Sequence, residues 1–564
     1  MKRILALLLA FALVFSLAAC TSSNTGTEPA ATPEPEPEAS AEPGIKDTIV
    51  YAMWSANSGV LQPALASDDR DSDVIRVVFD SLLQYDKELD AVPSMADSYD
   101  YDEENLLLTF HLRDGLKWHD GEPVTAEDVA FSFEALAHPD YTGGKYSTVE
   151  TVKGAKAYHE GKADSVEGIK VIDDQTIQFE FEEVYAPVVY KIGCDCCIFA
   201  KHIWGDIPVA EWDSQADLMN HPIGCGPYKF ESMVPGQYIE LVANEDYWGG
   251  CPKTQKFIFK VANQDTAIAE LTTGAVDIAN ISSLKKQDLD TLTASGIEVK
   301  SFDGVAVQYM GVNQRLDVFK DGKVAQAMTY AINRKDMIDK LLEGRAAITN
   351  APVLPSSWAY PADGLNTYDY NVEKAKEILK EAGYEDRDGD GIVENEAGQK
   401  LSFTLSYPTG NKIREQSAPI IQSNLKDIGI EITLDIKEFA ALLQQTMYGK
   451  HEFDLYLMGG SYDSADPDPI AVWHSNAISD DGGWNQVGFS DPEADKLMEE
   501  ALKTTDVAER AALYKEFCKI VNEQCPWVFL YEPDTIMGYT NKLHNYDPGA
   551  YRSFPDIVNW YVEL

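Results

Sequence analysis

Three aspartates stand at alternate positions in the stretch DRDGDGIVENE, and this spacing could hold a metal ion. Asp386, Asp388 and Asp390 occupy positions 1, 3 and 5 of a loop whose sixth residue is Gly391. Alternate carboxylates around a glycine turn are what a hard, oxygen-seeking cation such as Ca²⁺ requires. Position 12, which carries a bidentate acid in an EF-hand, is Ala397 instead. The loop is predicted either as a structural calcium site or as a solvated acidic turn. The candidate ligands are Asp386, Asp388, Asp390, Glu394 and Glu396.

The cysteines offer a second kind of chemistry. Of the eight, Cys194, Cys196 and Cys197 form the cluster CDCC, and seven remain once Cys20 is set aside. Free thiols, one or more disulfides and a soft-metal site using Cys194 and Cys197 all stay open. The sequence contains no second CxxC pair to complete such a metal site.

Catalytic motifs are absent from the sequence. It contains no GxxxxGK loop and no GxSxG, and His451-Glu452 is not completed to HExxH. We therefore expect no enzymatic activity and no required cofactor, the candidate calcium aside. The 93 acidic and 46 basic side chains give a net charge of −47, which argues against nucleic acid and anionic lipid surfaces as partners.

A glycine-rich stretch follows a strand predicted over Phe453 to Met458 and could contact a ligand. In α/β sheets, ligands sit beyond the carboxyl ends of strands, and glycines let a ligand backbone come close. The candidate contacts are Gly459, Gly460, Ser461, Tyr462 and Asp463. Asn57 and Ser58 follow a strand predicted over Thr48 to Trp54. They are candidates to contact the ligand from an opposite lobe. Asp463 could instead be a turn residue bonding its own backbone.

The stretch from Leu106 to Ala137 is predicted to form a strand, a turn, a short strand over Leu116 to His119, and a helix. Thr125 and Asp128 form a variant capping box at the helix start. From about Ser301, helices and strands alternate, which predicts an α/β lobe with a sheet covered on both faces. Asp468 and Pro469 are interpreted as the cap and first residue of a helix.

Six stretches stand in this order along the chain: FHLRDGLKWHDGEPVTAEDVAFSFEAL, IGCGPYKF, AMTYAINR, LKEAGY, GGSYDSADPDP and PWVFLYEP. Together they closely resemble the peptide/nickel family of extracellular solute-binding proteins, which deliver substrates to ABC importers. The resemblance implies an α/β, periplasmic-binding-protein-like fold whose two lobes close on a cleft. It also implies three domains, one of them inserted: 45–85, 206–300 and 531–564 form domain I, 86–205 domain II and 301–530 domain III.

The resemblance also implies a ligand. Peptide-binding members hold the ligand amine with an aspartate matching Asp463, and dipeptide binders carry an arginine just after the strand matching Leu401 to Tyr407. Here that position reads YPTGN, and Arg414, about two helical turns further on, is not expected to substitute. We therefore expect peptides longer than two residues. A nickel complex, a dipeptide, an oligosaccharide and a peptide-sensing role remain alternatives, and Trp473 and Trp484 are candidate cleft walls or core residues.

The N-terminal segment resembles a bacterial lipoprotein signal. Lys2 and Arg3 precede an apolar run and Leu-Ala-Ala-Cys, so residues 1–19 are predicted as a signal peptide and Cys20 as the acylated residue. Residues 20–44, rich in proline and glutamate, are predicted as a disordered tether. The expected protein is an exported monomer, anchored by lipid to the outer face of the cell membrane, with an ABC permease as partner.

Overall fold

The computed structural model describes residues 44–564 except 264–265, 450, 463 and 480–482. The signal peptide, Cys20 and the tether lie outside the described residues, apart from Gly44, and so does Asp463. Among the described residues, no helix is both long and apolar enough to span a bilayer.

The described chain alternates between strands and helices. The strands are β1 (Thr48–Met53), β2 (Leu83–Tyr85), β3 (Ala91–Pro93), β4 (Ala96–Asp102), β5 (Leu107–Leu112), β6 (Ile169–Asp173), β7 (Thr176–Glu180), β8 (Tyr228–Val234), β9 (Tyr238–Ala243), β10 (Lys256–Val261), β11 (Ile278–Asn280), β12 (Ile297–Phe302), β13 (Ala306–Val312), β14 (Ala346–Ala347), β15 (Ser402–Pro408), β16 (Glu431–Lys437), β17 (Leu455–Ser461), β18 (Trp527–Pro533), β19 (Thr535–Thr540), β20 (Leu543–His544) and β21 (Tyr561–Val562). The helices are α1 (Asp69–Val78), α2 (Ala126–Leu136), α3 (Ala155–His159), α4 (Val188–Gly193), α5 (Lys201–Trp204), α6 (Ala216–Asn220), α7 (Ala267–Thr273), α8 (Lys286–Ala294), α9 (Lys323–Ala331), α10 (Arg334–Leu341), α11 (Val372–Glu381), α12 (Lys412–Lys426), α13 (Phe439–Thr446), α14 (Ile470–Trp473), α15 (Pro492–Leu502) and α16 (Val507–Gln524).

Three larger sheets organise these elements. The first lobe contains a seven-stranded sheet, in the order β12-β19-β11-β1-β10-β9-β8, and a four-stranded sheet, β4-β5-β7-β6. The second lobe contains a six-stranded sheet in the order β14-β18-β13-β17-β15-β16. The seven-stranded sheet draws strands from both ends of the described chain, whereas the four-stranded sheet is one continuous insertion. The exact domain boundaries given above stay a prediction.

The module around α2 follows its sequence closely. The backbone N–H of Thr125 donates to the Asp128 carboxylate at 2.9 Å, which confirms the capping box. Val129, Phe133 and Leu136 are fully buried, as their helical spacing predicts. The prediction of a second short strand is wrong. The segment from Leu116 to His119 contributes only one isolated bridge, from Lys117 to Pro123.

Other boundaries differ where a cap or turn was not recognised. The sequence of residues 74–83 predicts a helix. The helix formed there, α1, begins five residues earlier because the Asp68 carboxylate caps it by accepting from the backbone N–H of Arg70. The sequence of residues 223–242 predicts extended strand. The structure forms the hairpin β8–β9 there, and its turn contains Gly236 at φ +73°. A positive φ suits glycine, so the chain reverses there.

Two short segments connect the lobes in the described chain, one between β12 and β13 and one between β18 and β19. They pack against each other. A β-carbon on Gly304 would overlap the carbonyl oxygen of Pro533, so only glycine allows this approach. The crossing segments therefore form a tightly packed hinge.

All seven cysteines in the described chain are free. Cys225 is buried, with its sulfur 3.9 Å from that of Met95, as expected of a small core residue. Burial raises the pKa of the Cys196 and Cys197 thiols, to about 12 and about 11, so neither forms a thiolate readily near neutral pH.

Candidate functional site

The glycine pair lies inside a strand. β17 was expected to end at Met458, but it continues through Gly459 and Gly460 to Ser461, because β13 pairs with it along this whole length. On its other side, β15 pairs with β17 only at Leu455 and Tyr456. Within the described residues, no strand pairs with that edge of the segment from Gly459 to Ser461. The edge offers backbone groups of the kind an added extended chain could pair with.

Tyr462 continues directly from this segment. Its backbone N–H donates to the carbonyl of Val305 at 2.8 Å, next to the hinge. Asp463, the predicted partner of a ligand amine, lies outside the described residues, so its role stays a prediction.

Arg414 lies beside the same glycines, closer than its distance along the chain suggests. Only three residues separate β15 from α12, and Asn411 caps the helix by accepting from the backbone N–H of Arg414 at 3.0 Å. Arg414 therefore sits in the first turn, and its guanidinium reaches back over the sheet to donate to Oε1 of Gln308 at 3.0 Å. Gln308 is the cross-strand neighbour of Gly459.

The electrostatic state of Arg414 is unusual. Burial lowers the pKa of its guanidinium. In the described structure its polar contacts are with neutral groups, the Gln308 amide oxygen and, at 4.0 Å, the sulfur of Met458. A partly desolvated guanidinium without a carboxylate is suited to accept an anionic group of a ligand.

Asn57 and Ser58 lie beyond the carboxyl end of β1, as predicted, but their side chains are already engaged. Both contact the fully buried carboxylate of Asp71: Nδ2 of Asn57 donates to it at 2.9 Å, and the Ser58 hydroxyl also donates to it. The backbone N–H groups of Ser58 and Gly59 add two further donors, at 3.3 and 3.1 Å. Asp71 thus fixes this loop, and contact with a ligand would fall to the loop's backbone.

The segment 464–469, which follows the glycine strand, is anchored in the second lobe by Asp466. Its carboxylate pairs bidentately with the guanidinium of Arg510, with one N–O distance of 2.8 Å, and both side chains are at most 5% exposed. From the sequence alone Asp466, which stands directly before Pro467, is interpreted as a turn residue, and this interpretation misses the ion pair.

The same segment contacts the first lobe through Asp468. The Tyr185 hydroxyl donates to its carboxylate at 2.6 Å. Burial, and then the Asp468 charge, raises the pKa of Tyr185 well above its usual value, so the phenol keeps its donor proton. Asp468 also accepts from the backbone N–H of Ile470, the first residue of α14. Pro469 is therefore the cap position rather than the first helical residue.

Aromatic side chains of the first lobe face this segment. The Tyr85 hydroxyl donates to the Asp195 carboxylate at 2.7 Å and lies 3.2 Å from the Ser464 hydroxyl of the second lobe. The Tyr85 ring stacks on Tyr190 and tilts against Tyr551, with centroids 5.8 and 5.9 Å away. The lobes thus meet at polar and aromatic groups.

The two predicted cleft-wall tryptophans lie in different places. Trp473 is 1% exposed and packs on Trp527, with ring centroids 4.5 Å apart. Of its two predicted roles, cleft wall and core residue, the structure therefore shows the core residue. Trp484 is 60% exposed.

The aspartate loop lies between α11 and β15. Ligand oxygens of Asp386, Asp388 and Glu394 come within 4.8 Å of one another. Asp390 contacts the ammonium of Lys400 instead, and Glu396 is exposed outside this group.

Sequence reasoning missed Gln308, Tyr85, Tyr185, Asp195 and Arg510. Each is an ordinary residue type without a local motif, and its partner is remote in the chain; 283 positions separate Tyr185 from Asp468. The sequence carries no short-range signal that would have identified them.

An α/β chain of two lobes joined by a hinge, with an open strand edge where the lobes meet, defines a ligand-binding protein of the periplasmic type. Residues 90–480 match the model of the bacterial extracellular solute-binding proteins, family 5. The chain belongs to this family of ABC-transporter binding proteins, whose members are not enzymes.

Its relatives bind different ligands. The oligopeptide-binding protein AppA of Bacillus subtilis is 32% identical over 506 residues, 88% of each chain. The structure of AppA with a nonapeptide matches at a TM-score of 0.78 and 30% identity, covering 93% of this chain and 100% of that one. NikZ from Campylobacter jejuni, solved with Ni(L-His), matches at a TM-score of 0.76 and 26% identity, covering 92% and 99%. Heme-binding protein A of Haemophilus influenzae is 27% identical over 530 residues, 90% of this chain and 92% of that protein. Family membership therefore does not fix the ligand.

Proposed function

We propose that this protein is the substrate-binding subunit of an ABC importer, that it captures oligopeptides between its lobes, and that it delivers them to a permease. The observation that carries the proposal is the open edge of β17 from Gly459 to Ser461. An extended peptide can add there as a further strand, so that backbone hydrogen bonds supply affinity without demanding one sequence.

The ends of the bound peptide determine its length. Asp463 is proposed to pair with the α-amino group, and Arg414, beside Gly459, is suited to an anionic group of the ligand, including its carboxylate. The relative AppA of Bacillus subtilis has been solved with a nonapeptide, which supports a ligand longer than a dipeptide. Peptides longer than two residues therefore fit best.

Calorimetry of a peptide length series tests this function. Alanine-rich peptides of two to six residues are titrated into protein freed of copurified ligand, and tetra- to hexapeptides are expected to bind more tightly than dipeptides. Ni(L-His) and an oligosaccharide serve as ligands of the other classes. Tighter binding of dipeptides, or of either non-peptide ligand, would contradict the proposal.

Delivery to a permease requires that the protein stay near the membrane, and we propose Cys20 as the lipid attachment site. Acyl chains on a cysteine, followed by the extended tether, would hold the folded monomer at the outer face of the membrane. Cys20→Ser is expected to release the protein into the medium. Retention of this variant in the membrane fraction would contradict the anchor while leaving peptide binding untouched.

A further inference from the structure

The loop between α11 and β15 has the composition and geometry of a divalent-cation site. One carboxylate oxygen from each of Asp386, Asp388 and Glu394 falls within 4.8 Å of the others. Calcium binds oxygen at about 2.3 to 2.6 Å, so oxygens that share one ion lie no more than about 5 Å apart. The three carboxylates therefore already stand at a separation that a single ion can bridge.

A second observation points to a missing partner. Glu394 is only 4% exposed, and its Oε2 is buried without a hydrogen-bond partner in the described structure. Its other oxygen accepts from the backbone N–H of Arg387 at 2.9 Å. A buried carboxylate oxygen without a donor is unfavourable, and a coordinated cation would satisfy it.

The basic residues of the loop do not supply the missing partner of Glu394 Oε2. Arg387 donates through its guanidinium to the backbone carbonyls of Glu394 and Gly383, at 3.4 and 3.2 Å. The ammonium of Lys400 lies 2.8 Å from the Asp388 carboxylate and also contacts Asp390. Lys400 is thus shared between two aspartates, and in the described structure neither basic side chain donates to Oε2 of Glu394.

Asp386 orients the loop around the cluster. Its two oxygens accept from the backbone N–H groups of Gly389 and Gly391, at 2.8 and 3.0 Å. Each carboxylate oxygen has a further lone pair, so these bonds leave room for a cation.

We propose that Asp386, Asp388 and Glu394 bind one calcium ion, with water or backbone oxygens completing its coordination. Three carboxylates of an irregular loop suit the flexible geometry of Ca²⁺ better than the strict octahedron of Mg²⁺. The ion would fasten the loop to the sheet, because Val393 beside Glu394 bonds to both Gly429 and Leu401.

The site lies at the end of the sheet opposite the candidate ligand edge. β15 and β17 run parallel, with Leu405 beside Leu455, so the loop precedes β15 at the end remote from Gly459. Calcium should accordingly change stability and leave ligand affinity unchanged.

The test uses the whole folded chain, stripped with a chelator and then titrated with CaCl2 alone. Calorimetry is expected to give one site per chain, and thermal unfolding a saturable rise in Tm of several degrees. Mg²⁺ at the same concentration is expected to raise Tm less. An equal rise with Mg²⁺ would overturn the assignment to calcium.

Single-residue variants distinguish loss of calcium coordination from a general loss of protein stability. Glu394→Gln should abolish the calcium response, and without metal its Tm should equal or exceed that of wild type, because the uncompensated charge is gone. Asp386→Asn, which keeps one of the two turn acceptors and removes the charge, should weaken the affinity for calcium at least tenfold. Glu396→Gln, in the same loop, and Asp86→Asn, in a turn where Asp86 accepts from the backbone of Glu88 and Asp90, should respond as wild type. No calcium response in wild type, or an undiminished one in Glu394→Gln, would overturn the proposal.

Discussion

A β-carbon placed on Gly459 would lie 2.6 Å from Nη2 of Arg414. It would also overlap the side-chain amide of Gln308. The same atom placed on the next residue, Gly460, meets only the Tyr309 ring, at 4.0 Å. The two glycines are therefore not equivalent: the first makes room for the guanidinium, and the second does not.

Gly459→Ala should accordingly destabilise the protein by about 1 kcal/mol, because the flexible ends of Arg414 and Gln308 must swing aside and give up their hydrogen bond. Gly460→Ala is the matched control and should change the free energy of unfolding by less than about 0.5 kcal/mol. Denaturant unfolding measures both. Equal losses in the two variants would show that Arg414 does not lie where we describe it.

The buried ion pair of Asp466 and Arg510 should be important for stability. Asp466→Asn leaves the Arg510 guanidinium in a desolvated place without its counter-charge, which should cost about 3 to 5 kcal/mol. The exposed pair Lys335–Asp339 offers a control, since Asp339→Asn should cost no more than about 1 kcal/mol. The measurement is equilibrium unfolding in urea. A loss for Asp466→Asn as small as that of the control would disprove the buried pairing.

Glu532 should make the protein less stable as the pH rises. It lies beside the hinge, 3% exposed, and burial, followed by the charges of Asp303 and Asp534, raises its pKa to about 7. Its pKa in the unfolded chain is near 4.5. Between these values the folded protein holds a proton that the unfolded chain releases, so its contribution to stability falls as pH rises from about 4.5 to 7.

Glu532→Gln removes this titration. The variant should match wild type below about pH 4.5 and exceed it above pH 7, by on the order of 1 to 3 kcal/mol. Thermal unfolding across the pH range checks the prediction, and Glu104→Gln, an exposed acid, should track wild type throughout. A stability difference that is independent of pH would mean that Glu532 has no raised pKa.

Local signals in the sequence predicted much of the fold. The capping box of Thr125 and the spacing of Val129 and Phe133 act within one helix, so α2 could be placed within a residue. The alternation after residue 301 predicted the α/β second lobe for the same reason. Features that depend on remote partners could not be predicted. The extension of β17 through Gly459 depends on pairing with β13, about 150 positions earlier, and no local pattern encodes that register.

The candidate site was predictable in part. The glycine segment was singled out because ligands sit beyond the carboxyl ends of strands in α/β sheets and glycines let a ligand backbone come close, although it was placed in a loop rather than inside β17. The position of Arg414 was misjudged, because its distance was counted along the chain while the turn at Asn411 brings it back over the sheet. Asp466 was misassigned because its neighbouring proline suggested a turn, whereas its partner Arg510 lies 44 residues away.

The central claim is that an extended peptide lies along β17 with its α-amino group paired to Asp463, and one set of titrations tests it directly. A tetrapeptide and its N-acetylated form are titrated calorimetrically into wild type and Asp463→Ala. The account predicts that Asp463→Ala loses on the order of 2 to 5 kcal/mol of affinity for the free peptide, and that acetylation weakens binding to wild type far more than to the variant. Equal affinity of wild type for the free and acetylated peptides would contradict it.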